Sequence, residues 1–393
     1  MSASHHKLKK RLGFVSLEAV NHFLKPAFTS LLSLLVIRLS SADVWGSFVP
    51  VLIGVELLMN YLNWGQKPYL LRSFSMKSAG LADVWLTAFV SRILLFLPIL
   101  VFMWFLPLER TVLLLCLLWL FLRFFSQSFE PLIQYERKYS VSILAETLSI
   151  VLGCGVVYFS PEINLQSVLY AVLLGQGVKA AVLATLTPKV SFSRDWHHQI
   201  TEYFTSAFPF LLLGLIGLLQ AKIDLYLVTW LMPASDTAFY HVLSGFLVIL
   251  QTGAFIILAP FVKNIYRMNS SSLYRLKNRY MTLGAAFTLV GALTVVAVLK
   301  WLYLFEVDAV LVLLIAAYNF PLFLYLIESQ VLLKQERENQ LLASTALSAI
   351  AGFGACYFLI PQMGIFGALV GGIFARFVIV AMVMFFVKSQ TNA

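Results

Sequence analysis

Twelve apolar runs of membrane-crossing length follow one another along this chain, and no arrangement of them around a water-soluble core is available. Their limits are 14–39, 44–64, 82–106, 110–130, 141–159, 166–187, 204–231, 237–261, 280–300, 309–333, 341–360 and 365–387. A helix needs roughly 20 apolar residues to cross about 30 Å of hydrocarbon. Hydrophobic residues make up 60% of the sequence and charged residues 12%, with a mean hydropathy of +0.87, too little polar surface to coat a soluble domain. The chain is therefore expected to be an all-α, polytopic membrane protein. Turn formers and charges collect between the runs, as in Ser40-Ser41-Ala42-Asp43, Ser160-Pro161-Glu162 and Pro361-Gln362-Met363-Gly364.

A repeat divides the runs into two sets of six. The pattern L-S-x-x-x-G-x-G-x-x-Y-F recurs after 199 positions, so that Leu148, Ser149, Gly153, Gly155, Tyr158 and Phe159 answer Leu347, Ser348, Gly352, Gly354, Tyr357 and Phe358. Each copy follows a Glu-Arg dipeptide (Glu136-Arg137, Glu336-Arg337) and precedes an apolar stretch with small residues, at Gly175 and Gly177 or at Gly371 and Gly372. The offset is half the chain, which predicts two pseudo-symmetric six-helix lobes, 1–195 and 196–393. A duplicated, almost wholly apolar chain is the pattern of a secondary transporter built from two similar bundles.

The connections between runs are asymmetric in charge. Nineteen of the 28 Lys and Arg precede run 1, follow run 12 or lie in the connections after even-numbered runs. The alternate connections hold only Arg110 and Lys300, with Asp43, Glu109, Glu162, Asp236, Glu306 and Asp308. The Lys/Arg-rich side of a membrane protein is the cytoplasmic one, so both termini are expected there. An even number of spans then gives the lobes the same orientation about an axis along the membrane normal. Trp45, Trp104, Trp230 and Trp301 fall at outer ends of runs and Trp64, Trp85 and Trp196 at inner ends, as an aromatic belt requires; Trp119 does not.

The net charge of +10 follows from this topology and from attraction to anionic lipids, and points to no nucleic-acid partner. Residues 1–11 are basic, but the run after them is too long for a signal peptide and lacks a small-residue cleavage site, so a retained first span is expected. Cys116, Cys154 and Cys356 stand alone within runs, with neither metal-ligand nor disulfide spacing, and read as small packing residues.

Charges inside the runs carry the functional argument. Lys25, Arg92, Arg123, Lys179, Lys222 and Arg376 fall near the midplane, Arg38 falls by the outer mouth, and Glu56 and Asp224 are the acids placed comparably deep. A basic side chain at mid-span costs about 2.5–3.5 kcal/mol on insertion scales. Six of them facing lipid would cost roughly 15–20 kcal/mol, more than the net stability of an ordinary domain. Separate ion pairs that fix helix packing would remove this cost; so would one shared hydrated cavity, which is the expectation here. Such a cavity would focus positive potential and attract an anionic headgroup, with the guanidinium forks of Arg92, Arg123 and Arg376 suited to bidentate phosphate contact.

Polar residues also fall on helical stripes. Glu18, His22, Lys25 and Thr29 share one face of run 1, Glu56, Asn60 and Asn63 one face of run 2, and Arg123, Gln127 and Glu130 one face of run 4. Pro26 lies mid-span and is a candidate bend, since proline removes a backbone hydrogen bond. Gln220 and Asp224 share a face of run 7, whereas Lys222 lies about 200° of rotation from Asp224. Glu18, Glu56, Asp224 and Glu328 are candidates for coupling transport to a proton or sodium gradient; the alternative for each is a carboxylate held as the partner of a nearby cation.

Two hairpins resemble a known family. The segment VIRLSSADVWGSFVPVLIGVELLMNYLNWGQKPYLLRSFS (36–75) is similar to the first hairpin of bacterial polysaccharide-type flippases: a helix ends in a serine-rich turn, an aromatic and a glycine open the next, and a Gly-containing stretch closes it before an Arg. The segment 208–250 resembles the corresponding hairpin of the second half, with Asp224 and with Phe239-Tyr240 where a Gly-Tyr pair is common in the family. That family belongs to the multidrug, oligosaccharidyl-lipid and polysaccharide exporter superfamily, whose fold is two six-helix lobes around a central cavity.

The resemblance implies movement of an undecaprenyl-diphosphate-linked oligosaccharide, an O-antigen or related surface-polysaccharide unit, from the inner to the outer leaflet of the bacterial cytoplasmic membrane. It implies no cofactor and no enzyme activity. It implies membrane lipids, the polysaccharide polymerase and the chain-length machinery as partners, and H+ or Na+ as coupling ion. Two other readings compete. One is a drug or metabolite exporter of the same superfamily, disfavoured if the cavity is cationic. The other is a membrane-embedded polymerase or glycosyltransferase, disfavoured by short outer connections and by the lack of nucleophile–base or metal spacing in the sequence.

Overall fold

The computed structural model describes residues 2–76, 81–105, 109–188, 196–265, 268 and 270–388. Those residues form helices and their connections, with no strand among them. Eleven helical segments among them are long and apolar enough to cross a membrane, beginning with Ala42–Ser75 and ending with Ile365–Lys388. The long helix α1 (Ser2–Leu39) precedes these eleven and runs on through Pro26. Helix ends lie within a few residues of the apolar limits of the sequence for most spans, because the same turn formers end both. Ser41 caps α2 (Ala42–Asn63) by accepting from the Val44 N–H at 3.4 Å, and Asn164 caps α9 (Leu165–Ala184) by accepting from the Ser167 N–H at 3.0 Å.

The chain divides into two compact units, 1–215 and 216–393. The first holds α1, α2, α3 (Gln66–Met76), α4 (Leu81–Ile93), α5 (Phe96–Trp104), α6 (Arg110–Ser128), α7 (Glu130–Glu136), α8 (Tyr139–Phe159), α9 and the first part of α10 (Trp196–Leu231). The second holds the rest of α10 with α11 (Ala234–Ile265), α12 (Ser270–Trp301), α13 (Ala309–Lys334), α14 (Glu338–Met363) and α15 (Ile365–Lys388). The same pairings recur inside each unit: α8 on α9 and α14 on α15, α6 on α9 and α13 on α15, α2 on α6 and α11 on α13.

The repeated motif is a packing device. A Cβ added at Gly153 would stand 2.6 Å from the Phe28 ring and 3.0 Å from the Ala171 carbonyl; one at Gly352 would stand 2.9 Å from the Ala375 Cβ. The second glycine of each copy, Gly155 or Gly354, faces open space. Ser149 and Ser348 are buried, while the edge-to-face pairs Tyr158–Phe159 and Tyr357–Phe358 are exposed at the helix ends. The two Glu-Arg dipeptides sit in tight turns that place Arg137 at φ 58° and Glu336 at φ 58°.

Spans 2, 3 and 4 are each broken into two helices. Trp64 (φ 42°) and Gly65 (φ 65°) separate α2 from α3, and a Cβ at Gly65 would lie 2.6 Å from the Ala207 carbonyl oxygen. Phe129 separates α6 from α7 and leaves the Ser128 carbonyl free to accept from Trp85 Nε1 at 2.8 Å and Gln66 Nε2 at 3.2 Å. Trp85 is consequently buried in a core with Phe74, Phe129 and Tyr203, and Trp45 is fully buried too. The expected belt thus keeps Trp104, Trp230 and Trp301, all exposed, and loses Trp45 and Trp85 to helix packing. The side chains of Trp196 and His22 lie outside the described residues.

Candidate functional site

Four polar stripes of the first unit meet around a cavity of about 150 Å³. From α1 come Lys25, Phe28 and Thr29, from α2 Trp45, Phe48 and Glu56, from α6 Trp119, Arg123 and Gln127, and from α9 Gln176 and Lys179; Glu130 of α7 and Glu146 of α8 complete the wall. Helical spacing explains the convergence, since residues three, four, seven and eleven apart stand on one face. The positions from Trp45 to Glu56 span about 16 Å of helix at 1.5 Å per residue. The wall is graded along that length. At one end Trp45, Phe48 and Trp119 form an aromatic group, with ring centroids 5.2 Å apart for Trp45–Phe48 and 5.7 Å for the stacked Phe48–Trp119 pair. At the other end are the charges.

Every cation on this wall faces a carboxylate. Lys25 Nζ donates to Glu130 Oε1 at 2.6 Å, Lys179 Nζ donates to Glu146 Oε1 at 2.5 Å, and an Arg123 nitrogen lies 3.9 Å from Glu56 Oε1. Lys67 reaches Glu130 as well, at 3.8 Å. The stripes of α2 and α6 close like a zip, with Glu56 opposite Arg123 and Asn63 Nδ2 donating to Gln127 Oε1 at 2.8 Å. Trp119 Nε1 and Gln176 Oε1 are buried beside the cavity without a hydrogen-bond partner among the described residues. They are a donor and an acceptor left for something that enters. Glu18 joins Asn21, Lys25, Lys67, Glu130 and Gln134 around a smaller adjoining pocket.

The cationic excess expected from the sequence is absent from this wall. Glu130 and Glu146 bring the carboxylates level with the ammonium and guanidinium groups, three against three. Both were legible. Glu130 ends the stripe that begins at Arg123, and Glu146 is the single acid within the run 141–159.

Arg92 is elsewhere. It is fully buried on α4, donating from Nε to the Ala88 carbonyl at 3.0 Å and from Nη2 to Ser128 Oγ at 3.0 Å, with its guanidinium carbon 4.9 Å from the Phe124 ring centroid. It braces the break between α6 and α7 and does not line the cavity.

Lys222 and Arg376 belong to the second unit. Arg376 is 6% exposed, donates to the Gly372 carbonyl at 3.2 Å and lies 3.5 Å from the centroid of the Tyr318 ring, a cation–π contact. Tyr318 donates in turn to Asp224, which also accepts from Tyr240 Oη and from the Leu225 N–H, each at 2.8 Å. This Asp–Tyr–Arg chain fixes α10, α11, α13 and α15 against one another. Lys222 is half-buried on α10, and Glu328 accepts from Lys277 across α12 and α13.

No protein-family model and no curated protein sequence matches this chain. Solved structures do. The lipid II flippase MurJ in an inward closed conformation matches with a TM-score of 0.73 at 14% identity, over 95% of this chain and 87% of that one. A multidrug resistance transporter of the MATE family in its inward-facing conformation matches at 0.60 and 14% identity, over 93% and 94%. The MATE transporter ClbM, in complex with Rb+, matches at 0.57 and 17%, over 95% and 93%. Over nearly its whole length, this multi-pass membrane chain has the fold seen in the lipid II flippase MurJ and in the MATE transporters.

Proposed function

We propose that this protein is a flippase for an undecaprenyl-diphosphate-linked oligosaccharide, an O-antigen or related surface-polysaccharide unit, working by alternating access from the inner to the outer leaflet of a bacterial cytoplasmic membrane. The observation that carries the reading is the cavity, where Lys25, Arg123 and Lys179 lie together inside an apolar bundle at the foot of an aromatic wall. A diphosphate is recognised by cations, and a sugar by ring faces and unpaired hydrogen-bonding groups such as Trp119 Nε1 and Gln176 Oε1. The Lys/Arg asymmetry of the connections turns the charged end of the cavity toward the cytoplasm. Fold likeness to a lipid flippase supports the reading.

In cells lacking the protein, lipid-linked repeat units should accumulate on the cytoplasmic face while their synthesis continues. Arg123→Ala should lower surface-glycan export by roughly tenfold to a hundredfold, the value of one charge-assisted contact of about 1.5–3 kcal/mol, with membrane-inserted protein unchanged. Full export by both Arg123→Ala and Lys25→Ala would sink the phosphate-binding role.

One observation favours a second reading, a multidrug exporter. The wall is charge-balanced, so cationic amphiphiles are not repelled and Glu56, Glu130 and Glu146 could receive them. Dye efflux from cells with and without the protein separates the two.

A further inference from the structure

We propose that Arg92 and Tyr203 hold a small monovalent anion, chloride, at a buried site inside the first unit. The site lies apart from the cavity and does not depend on the flippase reading. Arg92 is 0% exposed and Tyr203 is 1% exposed. A guanidinium carries five N–H donors and a phenol one O–H. Arg92 places Nε on the Ala88 carbonyl and Nη2 on Ser128 Oγ, but Nη1 is buried without an acceptor among the described residues, and so is Tyr203 Oη. Buried donors of this kind ordinarily have a partner.

The two groups are neighbours. Thr87 of α4 meets Gln199 of α10, with Oγ1 donating to Oε1 at 3.0 Å. About one turn further along both helices, Arg92 and Tyr203 interact electrostatically. The α4 face that carries Ala88 and Arg92 therefore runs alongside the α10 face that carries Gln199 and Tyr203. Leu70, Phe74, Trp85, Ala88 and Ala207 form one apolar core with Tyr203, which strengthens any charge pairing made there.

Charge decides which acceptor the site takes. A water molecule would satisfy the donors and leave the guanidinium uncompensated, whereas an anion does both. The ion pairs of the first unit among the described residues, Lys25 and Lys67 with Glu130, Arg123 with Glu56, Lys138 with Glu136 and Lys179 with Glu146, do not include Arg92. Glu202, next to Tyr203 in the chain, is exposed. Asp83, the acid of α4, stands about 13 Å of helix before Arg92. The Phe124 ring offsets part of the charge from 4.9 Å, but a buried cation without a counter-charge remains costly. A monovalent ion leaves the site neutral, and a divalent one would leave it negative. The ion ties α4 and the break between α6 and α7 to the first turns of α10.

Thermal unfolding of the purified full chain in detergent, with sodium chloride exchanged for sodium gluconate at constant ionic strength, tests this. An ion that binds only the folded chain raises the unfolding midpoint by mass action. The wild-type midpoint should climb by a few degrees as chloride replaces gluconate. Tyr203→Phe keeps the ring against Tyr69 and removes one donor, so it should need roughly fivefold more chloride for the same rise. Arg92→Gln should lose the rise. Crystals grown in bromide should show anomalous scattering between Arg92 and Tyr203. A wild-type midpoint independent of chloride, as a water at the site would give, overturns the proposal. So does a chloride response unchanged in Tyr203→Phe, or a bromide signal found only elsewhere, since either would put the ion on other cations. The wild-type and Tyr203→Phe measurements decide the matter even if Arg92→Gln fails to fold.

Discussion

Arg92 and Arg123 are the same residue type at similar depth in their spans, and they do unrelated things. Arg123 stands on the face of α6 that carries Gln127 and looks into the cavity. Arg92 packs on the next face of the same helix, against Phe124 and Ser128, one position further round in each case. A rotation of 100° per residue separates the two environments. Arg92→Ala should destabilise the protein by about 3 kcal/mol, through a buried void and unpartnered groups, lowering its thermal unfolding midpoint in detergent. Arg123→Ala should leave that midpoint nearly unchanged. Equal midpoints for the two variants would refute the assignment. The depth of both arginines was readable from the sequence; their neighbours were not, because they depend on which face of α6 meets α4.

Helix breaks and glycine contacts belong to the scale of elements. Gly65 meets two requirements at once, a left-handed backbone and the close passage of α10. Gly65→Ala should therefore destabilise by at least about 1–3 kcal/mol, seen as loss of monodisperse protein after extraction. The duplicated motif separates its glycines by role. Gly155→Leu and Gly354→Leu should be tolerated, since nothing stands within 4 Å of either position. Gly153→Leu and Gly352→Leu should not be, because the Ala171 carbonyl and the Ala375 Cβ block them. If all four variants express and unfold alike, the motif is not a packing device. The repeat was visible as spacing, and which of its glycines touch a neighbour became visible only once α8 lay on α9 and α14 on α15.

At the scale of the whole molecule, the Lys/Arg asymmetry predicts an orientation, with both termini on the cytoplasmic side. Single cysteines at Ser41 or Asp236 should react with a membrane-impermeant thiol reagent in intact cells. Cysteines at Lys138 or Arg337 should react only after permeabilisation. Equal labelling of both sets would remove the assignment of the charged cavity end to the cytoplasm. The native Cys116 and Cys356 are buried and Cys154 is half-buried, so a chain with Cys154→Ala is the background for this labelling.

Local composition and residues near one another in the chain were enough to set the solvent, the number of long helices to within one, most of their ends, and the duplication. Lipid leaves backbone groups no partner except one another, so apolar runs of sufficient length had one outcome. The pairing of charges was decided by tertiary structure alone. Lys25 meets Glu130 and Lys179 meets Glu146 across 105 and 33 residues, and Arg92 leaves the cavity while Glu146 enters it. Those outcomes turn on which faces of neighbouring helices meet, and a rotation of one residue separates a buried brace from a cavity-facing charge.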